Sequence, residues 1–310
     1  MARAFAVAAR GSAPQLQEVA SAAPGLGQAR VQVDAASVNG IDAMVAAGYV
    51  WDVMPHEFPV VLGRDFAGTV DAVGDGGSGI RVGDRVAGVI TAMSLGAGAM
   101  AEAVTVDAAS LVIVPASVSP VQAAAIGLAG VTATDLVAAL EITAADVVLV
   151  AGATGGVGAF AVQLAAATGA TVLATARPGE PSDFVRALGA SVAVDHTADL
   201  AAAVSAAAPD GITAVVHAAG DPAALAALLR PKGRLASALG ATDEQVGRQD
   251  VSVTAVLATA TPEKVRSLLD AVEAGSLRVP VAHLYPFDQA ARALADFSGH
   301  KLGKLVVAVR

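Results

Sequence analysis

The stretch from Val147 to Ala176, VVLVAGATGGVGAFAVQLAAATGATVLATA, contains no charged residue in thirty positions. By length and hydropathy alone it is able to cross a bilayer, which takes about 20 apolar residues. Glycines cluster near its start, at positions 152, 155, 156 and 158. Such a cluster suits a membrane helix poorly, and it divides the stretch into shorter pieces.

The pieces have the order of a β-α-β unit. Val147–Ala151 predicts a buried strand, Thr171–Ala176 predicts a second one, and Ala159–Thr168 between them predicts a helix. A glycine-rich turn between strand and helix lets the backbone approach a pyrophosphate, and the free N–H groups at the helix start face the anion. The spacing G-x-x-G-x-x-G is close to the dinucleotide fingerprint G-x-G-x-x-G without matching it. We therefore predict a dinucleotide loop, with a structural turn or a membrane span as alternatives.

The residues after the second strand bear on which dinucleotide binds. NAD sites place an Asp or Glu about 20 residues past the glycine loop, where it holds the ribose 2′-OH. Here Arg177 stands at the strand end, and a guanidinium suits the 2′-phosphate of NADP. The sequence thus favours NADPH. A solvated arginine is the plain alternative, and the nearby Glu180 keeps NAD open.

Composition narrows the function classes. The chain has 310 residues, a length typical of two domains, and a net charge of −9. That charge argues against a nucleic-acid partner, because phosphate binding needs a concentrated positive surface. The chain has no cysteine, which excludes disulfides and thiolate chemistry. The apolar part of the N-terminus is too short for a secretory signal, so we expect a cytoplasmic protein without a membrane partner.

The pattern of the chain changes near Pro115. Before it, short β-branched runs predict an antiparallel, partly barrel-like β domain, in which Gly74–Asp84 is a glycine-dense hairpin connection. Val118–Leu140 has helical periodicity, with Ser119 as its N-cap. Beyond it, apolar strands alternate with alanine-rich helices, which predicts an α/β fold with a parallel sheet covered on both faces.

The closing run, residues 304–310, is a strand expected to return to the first domain. The other predicted helices include residues 159–169, 181–189, 200–208, 222–233 and 262–275.

A series of motifs runs through essentially the whole chain. They are SVNGIDAMVAAGY (Ser37–Tyr49), FPVVLGRDFAGTVDAVG (Phe58–Gly74), VGDRVAG (Val82–Gly88), AGVTATDLV (Ala129–Val137), VLVAGATGGVGAFAVQLA (Val148–Ala165), RALGASVAVDH (Arg186–His196) and GKLVVAV (Gly303–Val309). In order and spacing they resemble the medium-chain dehydrogenase/reductase superfamily, and within it the zinc-independent quinone oxidoreductase group. The resemblance implies a GroES-like β domain over residues 1–117 and 285–310. It implies a Rossmann doubly wound parallel-sheet nucleotide-binding domain over residues 118–284, with the active site in a cleft.

The resemblance also bears on metal binding. Zinc-dependent relatives carry a cysteine at the position of Asn39 and a His-Glu pair at the positions of Arg64 and Asp65. They also carry a four-cysteine lobe that has no counterpart here. Catalytic zinc takes three Cys, His or carboxylate ligands, so we expect no metal.

Without a Lewis acid, little polarises a simple alcohol or ketone. The resemblance therefore implies an NADPH-dependent reductase that transfers hydride to a quinone or to the C=C bond of an α,β-unsaturated carbonyl. One alternative is a zinc-free enoyl or ketone reductase with a specialised biosynthetic substrate. Another is a non-catalytic NADPH-binding sensor or scaffold.

The resemblance assigns cofactor contacts to residues along the whole chain. Asn39 matches a position near the nicotinamide ribose and is also a candidate catalytic residue, with a turn asparagine as the alternative. For Thr132, His196 and Lys304 the alternatives are a helix threonine, a core or surface histidine and a solvated lysine. The implied cofactor-binding residues besides Asn39 are Thr132, Gly152, Thr154, Gly155, Gly156, Val157, Arg177, His196, Leu239, Gly240 and Lys304.

The sequence indicates the substrate-binding residues less strongly than the cofactor-binding residues. Many relatives carry a tyrosine at the position of Met44, so a tyrosine's role does not transfer there. Tyr49, the other candidate catalytic residue, lies close in sequence to Trp51, and with Met44 the two form the predicted substrate pocket. Two aromatic side chains so close together suggest a stacking surface for a flat acceptor. The alternative is that they pack the edge of the domain.

The two acidic residues of these motifs are expected to be structural. Asp42 is predicted to make a structural hydrogen bond rather than to act in catalysis. Asp65 is predicted to be a structural carboxylate, paired with Arg64 or Arg85.

The resemblance further implies a homodimer formed through edge strands of the nucleotide-binding domains. Asp250–Ala260 is an apolar, strand-like run that would provide such an edge, because exposed edges recruit partners. An interior strand is the alternative. The expected partners are thus a small electrophilic substrate and a second copy of the chain.

Overall fold

The computed structural model describes residues 1–76 and 79–310. Gly77 and Ser78, in the predicted hairpin connection, lie outside the described residues. The described chain forms two compact units, Met1–Leu128 with Ala260–Arg310, and Ala129–Thr259.

Short strands fill the first part of the chain, and strands alternate with helices after it. In chain order the elements are β1 (Ala2–Val7), β2 (Gln15–Val19), β3 (Gln28–Ser37), α1 (Gly40–Ala46), β4 (Val60–Val61), β5 (Asp65–Val73), β6 (Arg85–Val89), β7 (Ala103–Asp107), β8 (Val112–Ile113), α2 (Pro120–Ala139), β9 (Val147–Ala151), α3 (Gly156–Ala167), β10 (Thr171–Thr175), α4 (Glu180–Ala187), β11 (Val192–Val194), α5 (Leu200–Ala207), β12 (Ile212–His217), α6 (Pro222–Ala227), β13 (Leu229–Ser237), α7 (Asp243–Val246), β14 (Ser252–Ala255), α8 (Pro262–Glu273), β15 (Val281–Pro286), α9 (Ala290–Ala295) and β16 (Lys304–Ala308).

The first unit is built on two sheets. One runs in the order β15-β16-β3-β5-β6-β8, with β7 also paired to β3, and the other runs β2-β1-β4. Its pairings are antiparallel except for β15 with β16. The C-terminal strand pairs with β3, with Val306 opposite Ser37, which confirms its predicted return. Alternate residues of β3, such as Val31 and Val33, point into a continuous apolar core.

The second unit contains a six-stranded parallel sheet. Its order is β11-β10-β9-β12-β13-β14, which is the Rossmann order, and it confirms the predicted α/β class. The order reverses between β9 and β12. Ligands of such sheets bind at the carboxyl ends of the strands where this reversal occurs. In this chain those ends are Ala151 and His217, which lie opposite each other in the sheet.

The charge-free stretch folds as the predicted strand, helix and strand. It forms β9, α3 and β10, and β9 and β10 pair in parallel, so it is not a membrane span. Within the described residues, α2 is the one helix long and apolar enough to cross a bilayer, and 56% of its most apolar window is buried.

One predicted helix is wrong in its second half. The helix expected over residues 222–233 ends at Ala227, and β13 begins at Leu229. Pro231 has no N–H to continue a helix, and Lys232 adopts a positive φ of 65°. The segment pairs instead with β12, where Ile212 lies opposite Leu229. Tertiary pairing here overrides the helical propensity of the alanine- and leucine-rich sequence.

Candidate functional site

The predicted dinucleotide loop connects β9 to α3, and two of its glycines are required by its backbone. Gly152 has a φ of 81°, and a Cβ there would lie 2.9 Å from Cβ of Ala219. A Cβ on Gly158 would lie 2.1 Å from the carbonyl oxygen of Gly152 and 2.7 Å from Cα of Ala153. The loop thus folds back on the start of α3 at a distance that no side chain permits.

The start of α3 is left open to a ligand. Gly155 is its N-cap and provides no side-chain hydrogen bond to the first turn. Four N–H groups at a helix start lack intrahelical partners, and the helix dipole adds positive potential there. The neighbouring loop residues Thr154, Gly156 and Val157 are half-buried, so the predicted loop residues are together and accessible.

A threonine missed by the sequence reasoning anchors this loop. The hydroxyl of Thr175, the last residue of β10, accepts a 2.9 Å hydrogen bond from N–H of Gly152. The same hydroxyl lies 3.3 Å from the carbonyl oxygen of Val150, to which it donates. Because Thr175 looks like an ordinary strand residue, only the pairing of β10 with β9 reveals its contact with the loop.

Two predicted cofactor residues lie at the carboxyl ends of neighbouring strands. Arg177 is half-buried just after β10, and His196 is exposed just after β11. Asp195 precedes His196, and hydrogen bonds from N–H and hydroxyl of Thr197 lower the pKa of its carboxyl, with smaller contributions from His196 and Arg177. Glu180 is exposed at the start of α4. Arg177 is therefore near an acidic group as well as accessible to solvent.

The other predicted cofactor residues of the second unit are dispersed. Thr132 is buried in α2. Leu239 and Gly240 follow the end of β13 in a turn, where Leu239 is 61% exposed and Gly240 has a φ of 74°. N–H of Leu239 bonds to the hydroxyl of Ser237, the last residue of β13.

In the first unit, a buried polar cluster surrounds Asn39. The side-chain N–H₂ of Asn39 donates to Asp65 at 2.8 Å, and its carbonyl oxygen accepts from Nζ of Lys304 at 2.6 Å. Lys304 also donates to the carbonyl oxygen of Val38 at 2.9 Å. Lys304 is only 3% exposed, so the alternative of a solvated lysine is wrong. Burial lowers the pKa of Lys304, an effect that Asp65 and Asp42 partly oppose.

Asp65 has different partners from those predicted. Its carboxylate accepts from the hydroxyl of Ser37 at 2.7 Å, from Asn39, and from N–H of Leu128 at 2.9 Å. Arg64 and Arg85, the partners expected from sequence, instead donate to backbone carbonyl groups. The expectation of an Asp65–arginine pair is therefore wrong, although the carboxylate is structural, as expected.

Asp42 completes the cluster as a structural acid. One carboxylate oxygen accepts from N–H of Asn39 at 2.8 Å and closes a capping box on α1, and the other accepts from N–H of Gly63 at 2.7 Å. This confirms the predicted structural role. Burial raises the pKa of Asp42 to about 6, against the opposing effect of these two hydrogen bonds.

We expect Asp42 to make the free energy of unfolding fall as pH rises from about 4 to about 6. Its pKa is 3.8 when unperturbed and about 6 in the fold. Between these values the folded protein binds more protons, so stabilisation present below pH 3.8 is lost as pH rises through 6. At 1.36 kcal/mol per pKa unit, the change is about 3 kcal/mol.

Urea unfolding of wild type and Asp42→Asn between pH 4 and pH 7 tests this expectation. The variant carries no titrating group at this position, while the other carboxyl groups act in both proteins. The stability advantage of the wild type over the variant should therefore shrink by about 2 kcal/mol across this range, because part of the full change lies below pH 4. An advantage that is independent of pH would contradict the raised pKa.

The predicted substrate residues do not share one environment. Trp51 is 6% exposed and packs in the core, with ring centroids 5.2 Å from His56 and 5.3 Å from Phe58. Tyr49 is 77% exposed, and Met44 is also exposed. The structure therefore gives Trp51 the packing role that was the alternative. Met44 and Tyr49 stay accessible for an acceptor.

Comparison with known proteins identifies the family. The alcohol dehydrogenase GroES-like domain family matches residues 25–116, and the zinc-binding dehydrogenase family matches residues 188–307. A 2-haloacrylate reductase from a Burkholderia species is 30% identical, over 94% of this chain and 93% of its own length. The chain belongs to the medium-chain dehydrogenase/reductase superfamily. It is thus an oxidoreductase by family.

Solved structures place this medium-chain dehydrogenase/reductase near quinone oxidoreductases. The quinone oxidoreductase from Coxiella burnetii has a TM-score of 0.88 and 26% identity, covering 100% of this chain and 99% of its own. Mycobacterial Rv1454c, solved in complex with NADPH, has a TM-score of 0.86 and 28% identity, covering 100% of both chains.

The zinc implied by one family description does not fit this medium-chain dehydrogenase/reductase. Among residues 1–76 and 79–310, no three His, Cys, Asp or Glu side chains are close enough to hold a metal ion. At the position where zinc-dependent relatives have a cysteine, Asn39 accepts a hydrogen bond from the ammonium of Lys304. An ammonium beside this position repels a divalent cation, so the residues present do not fit a zinc ion.

Proposed function

We propose that this protein is an NADPH-dependent reductase that acts without zinc on a quinone or on the C=C bond of an α,β-unsaturated carbonyl. The glycine loop between β9 and α3, at the reversal point of a Rossmann-ordered sheet, carries the proposal. Relatives support it. One of them is named for the reduction of a haloacrylate, whose C=C bond is conjugated to a carboxyl group, and another was solved with NADPH.

The residues of the second unit fit a nicotinamide dinucleotide. The N–H groups of the loop and of the start of α3 would hold the pyrophosphate, as helix starts do for anions. Arg177, with His196, would hold the 2′-phosphate through charge-assisted hydrogen bonds. Thr132, Leu239 and Gly240 would contact the rest of the cofactor. When bound, the cofactor supplies the hydride.

Asn39 and Tyr49, both in the first unit, are the proposed catalytic residues. Asn39 is held in one orientation, because Asp65 accepts from its N–H₂ and Lys304 donates to its carbonyl oxygen. Tyr49 and Met44 are accessible for a flat, electron-poor acceptor, which needs no Lewis acid to accept hydride.

We expect Arg177→Ala to weaken NADPH binding about tenfold or more while leaving NADH binding unchanged. Tenfold corresponds to about 1.4 kcal/mol, which is within the range for a charge-assisted hydrogen bond to phosphate. Fluorescence titration with both cofactors measures it. Arg186→Ala is the matched control, because Arg186 is an exposed arginine on α4 in the same unit and should bind NADPH like the wild type.

The outcomes separate the parts of the proposal. Equal affinity of the wild type for NADH and NADPH would overturn the choice of NADPH and make Glu180 the residue to test. Failure to bind either dinucleotide would overturn the whole function. Binding without consumption of NADPH across a panel of quinones and enones would favour a sensor or scaffold.

We also propose a cytoplasmic homodimer formed through β14. This strand lies at the end of the parallel sheet and, within the described chain, pairs only with β13. Thr254 and Ala255 in the strand and Leu257 just after it are exposed. An unpaired edge of this kind favours pairing with a second copy. Sedimentation as a monomer at micromolar concentration would contradict it.

A further inference from the structure

A buried histidine at the reversal point of the parallel sheet has no role in the function proposed above. His217 is the last residue of β12 and is 2% exposed. It lies opposite Ala151 on one side and Ser237 on the other, the last residues of β9 and β13. The strand ends on both sides of the reversal point therefore adjoin this one side chain.

Both ring nitrogens of His217 are engaged. Nδ1 lies 2.9 Å from the hydroxyl oxygen of Ser237, and Nε2 lies 3.1 Å from the carbonyl oxygen of Gly220. A carbonyl oxygen only accepts, so Nε2 carries a proton and donates it to Gly220. Whether Nδ1 also carries a proton depends on whether the hydroxyl oxygen of Ser237 has a lone pair free to accept it.

The hydrogen bonds of Ser237 determine the state of Nδ1. Its hydroxyl oxygen accepts from N–H of Leu239 at 3.0 Å and from N–H of Ala241 at 3.1 Å. A hydroxyl has two lone pairs and one proton. With both lone pairs occupied, Ser237 donates its proton to Nδ1, which is unprotonated. The network thus matches the Nε2–H tautomer of the ring, in which every donor has an acceptor.

This network joins the segment after β12, which borders the dinucleotide loop, to the turn after β13. The segment after β12 is close to the loop, because a Cβ on Gly152 would lie 2.9 Å from Cβ of Ala219. Gly220, in the same segment, is bonded to Nε2 of His217. The turn after β13 contains Leu239 and Gly240, and the N–H groups of Leu239 and Ala241 are bonded through Ser237 to Nδ1.

We propose that His217 is a positioning residue for the dinucleotide site, which joins the Ala218–Gly220 segment to the Leu239–Ala241 turn so that both keep the form that the cofactor requires. This rests on the proposed function, because it assumes that the site takes a nicotinamide dinucleotide. His217 itself touches neither cofactor nor substrate in this role, and it acts through the backbone of the two segments.

The test compares three variants by NADPH fluorescence titration. His217→Phe keeps a ring but removes both hydrogen bonds. We expect it to raise the NADPH Kd about tenfold, which corresponds to about 1.4 kcal/mol. His217→Asn retains an acceptor for Ser237 and should recover part of this loss. Thr213→Val is the matched control. It removes a buried hydroxyl from the other end of β12, where Thr213 bonds to Asp146, and should leave Kd unchanged.

Two further readouts do not depend on the cofactor. The ¹⁵N signals of the His217 ring in the ligand-free protein should show Nε2 protonated and Nδ1 unprotonated. Amide exchange at Leu239 and Ala241 should be slow in wild type and Thr213→Val, and fast in His217→Phe. A purely packing role for the ring would leave this exchange unchanged.

The outcomes are distinct. If wild type binds neither NADPH nor NADH, the proposed function fails, and the assignment of His217 to a cofactor site fails with it. If wild type binds and His217→Phe binds equally well, the proposed function stands and the positioning role is overturned. An Nδ1–H tautomer, or unchanged exchange at Leu239 and Ala241, would also overturn it.

Discussion

Replacing Gly158 with alanine is expected to weaken dinucleotide binding strongly and to destabilise the second unit. The new Cβ would lie 2.1 Å from the carbonyl oxygen of Gly152 and 2.7 Å from Cα of Ala153, so backbone has to move. Overpacking of this kind costs about 1–3 kcal/mol. Such a movement displaces the N–H groups that would hold the pyrophosphate, and we expect the NADPH Kd to rise about 100-fold or more, which corresponds to about 2.8 kcal/mol.

Gly155→Ala is the matched comparison within the same loop. Gly155 has an ordinary φ of −78°, and a Cβ there would lie 3.4 Å from the nearest oxygen, that of Gly152. This variant should keep the stability of the wild type to within about 0.5 kcal/mol, so any loss of binding reports on the anion site alone. Urea unfolding and fluorescence titration measure the two effects. If Gly158→Ala were as stable as wild type and bound NADPH normally, the close packing of the loop on α3 would be contradicted.

Removing the charge of Lys304 is expected to cost about 3–5 kcal/mol of the free energy of unfolding. Lys304→Met removes the buried cation that interacts with Asp65 and Asp42, and it removes the donor to the carbonyl oxygens of Val38 and Asn39. A buried charge that loses its partner retains its full desolvation cost. Urea unfolding at pH 7 measures this loss.

A control variant and a pH series test whether the effect of Lys304→Met comes from the lost charge. Lys301 lies three residues earlier, is half-buried and donates to the carbonyl oxygen of Phe297, so Lys301→Met should cost only about 1 kcal/mol. The cost of Lys304→Met should also shrink as pH falls from 7 to 5, because Asp42, whose pKa is already about 6, becomes neutral. A cost below about 1 kcal/mol, or one independent of pH, would contradict the charge-balancing role.

The β-α-β unit and its glycine loop were predictable because their signals are local. Val147–Ala151 is an apolar run of strand length, the glycines follow it directly, and α3 begins within a few residues. Chain direction then fixes the loop at the carboxyl end of a parallel strand. The same locality explains the error after α6, where a helical pattern of alanine and leucine was overridden by pairing of β13 with β12.

The buried polar groups were not predictable in the same way. Lys304 and Asn39 are 265 positions apart in the chain, and His217 and Ser237 are 20 apart. Nothing in the sequence near Thr175 indicates that it bonds to Gly152. Each pairing exists because sheet register brings the two residues side by side.

By itself, the sequence determined the α/β class, the position of the glycine loop and the family, because periodicity, turn residues and motif order are properties of short segments. The tertiary structure alone decided that Lys304 is a buried partner of Asn39, that Asp65 bonds to Ser37 and not to an arginine, that Trp51 packs in the core, and that His217 joins two loops. Burial and hydrogen bonding between distant segments depend on strand order and register, and no short segment encodes them.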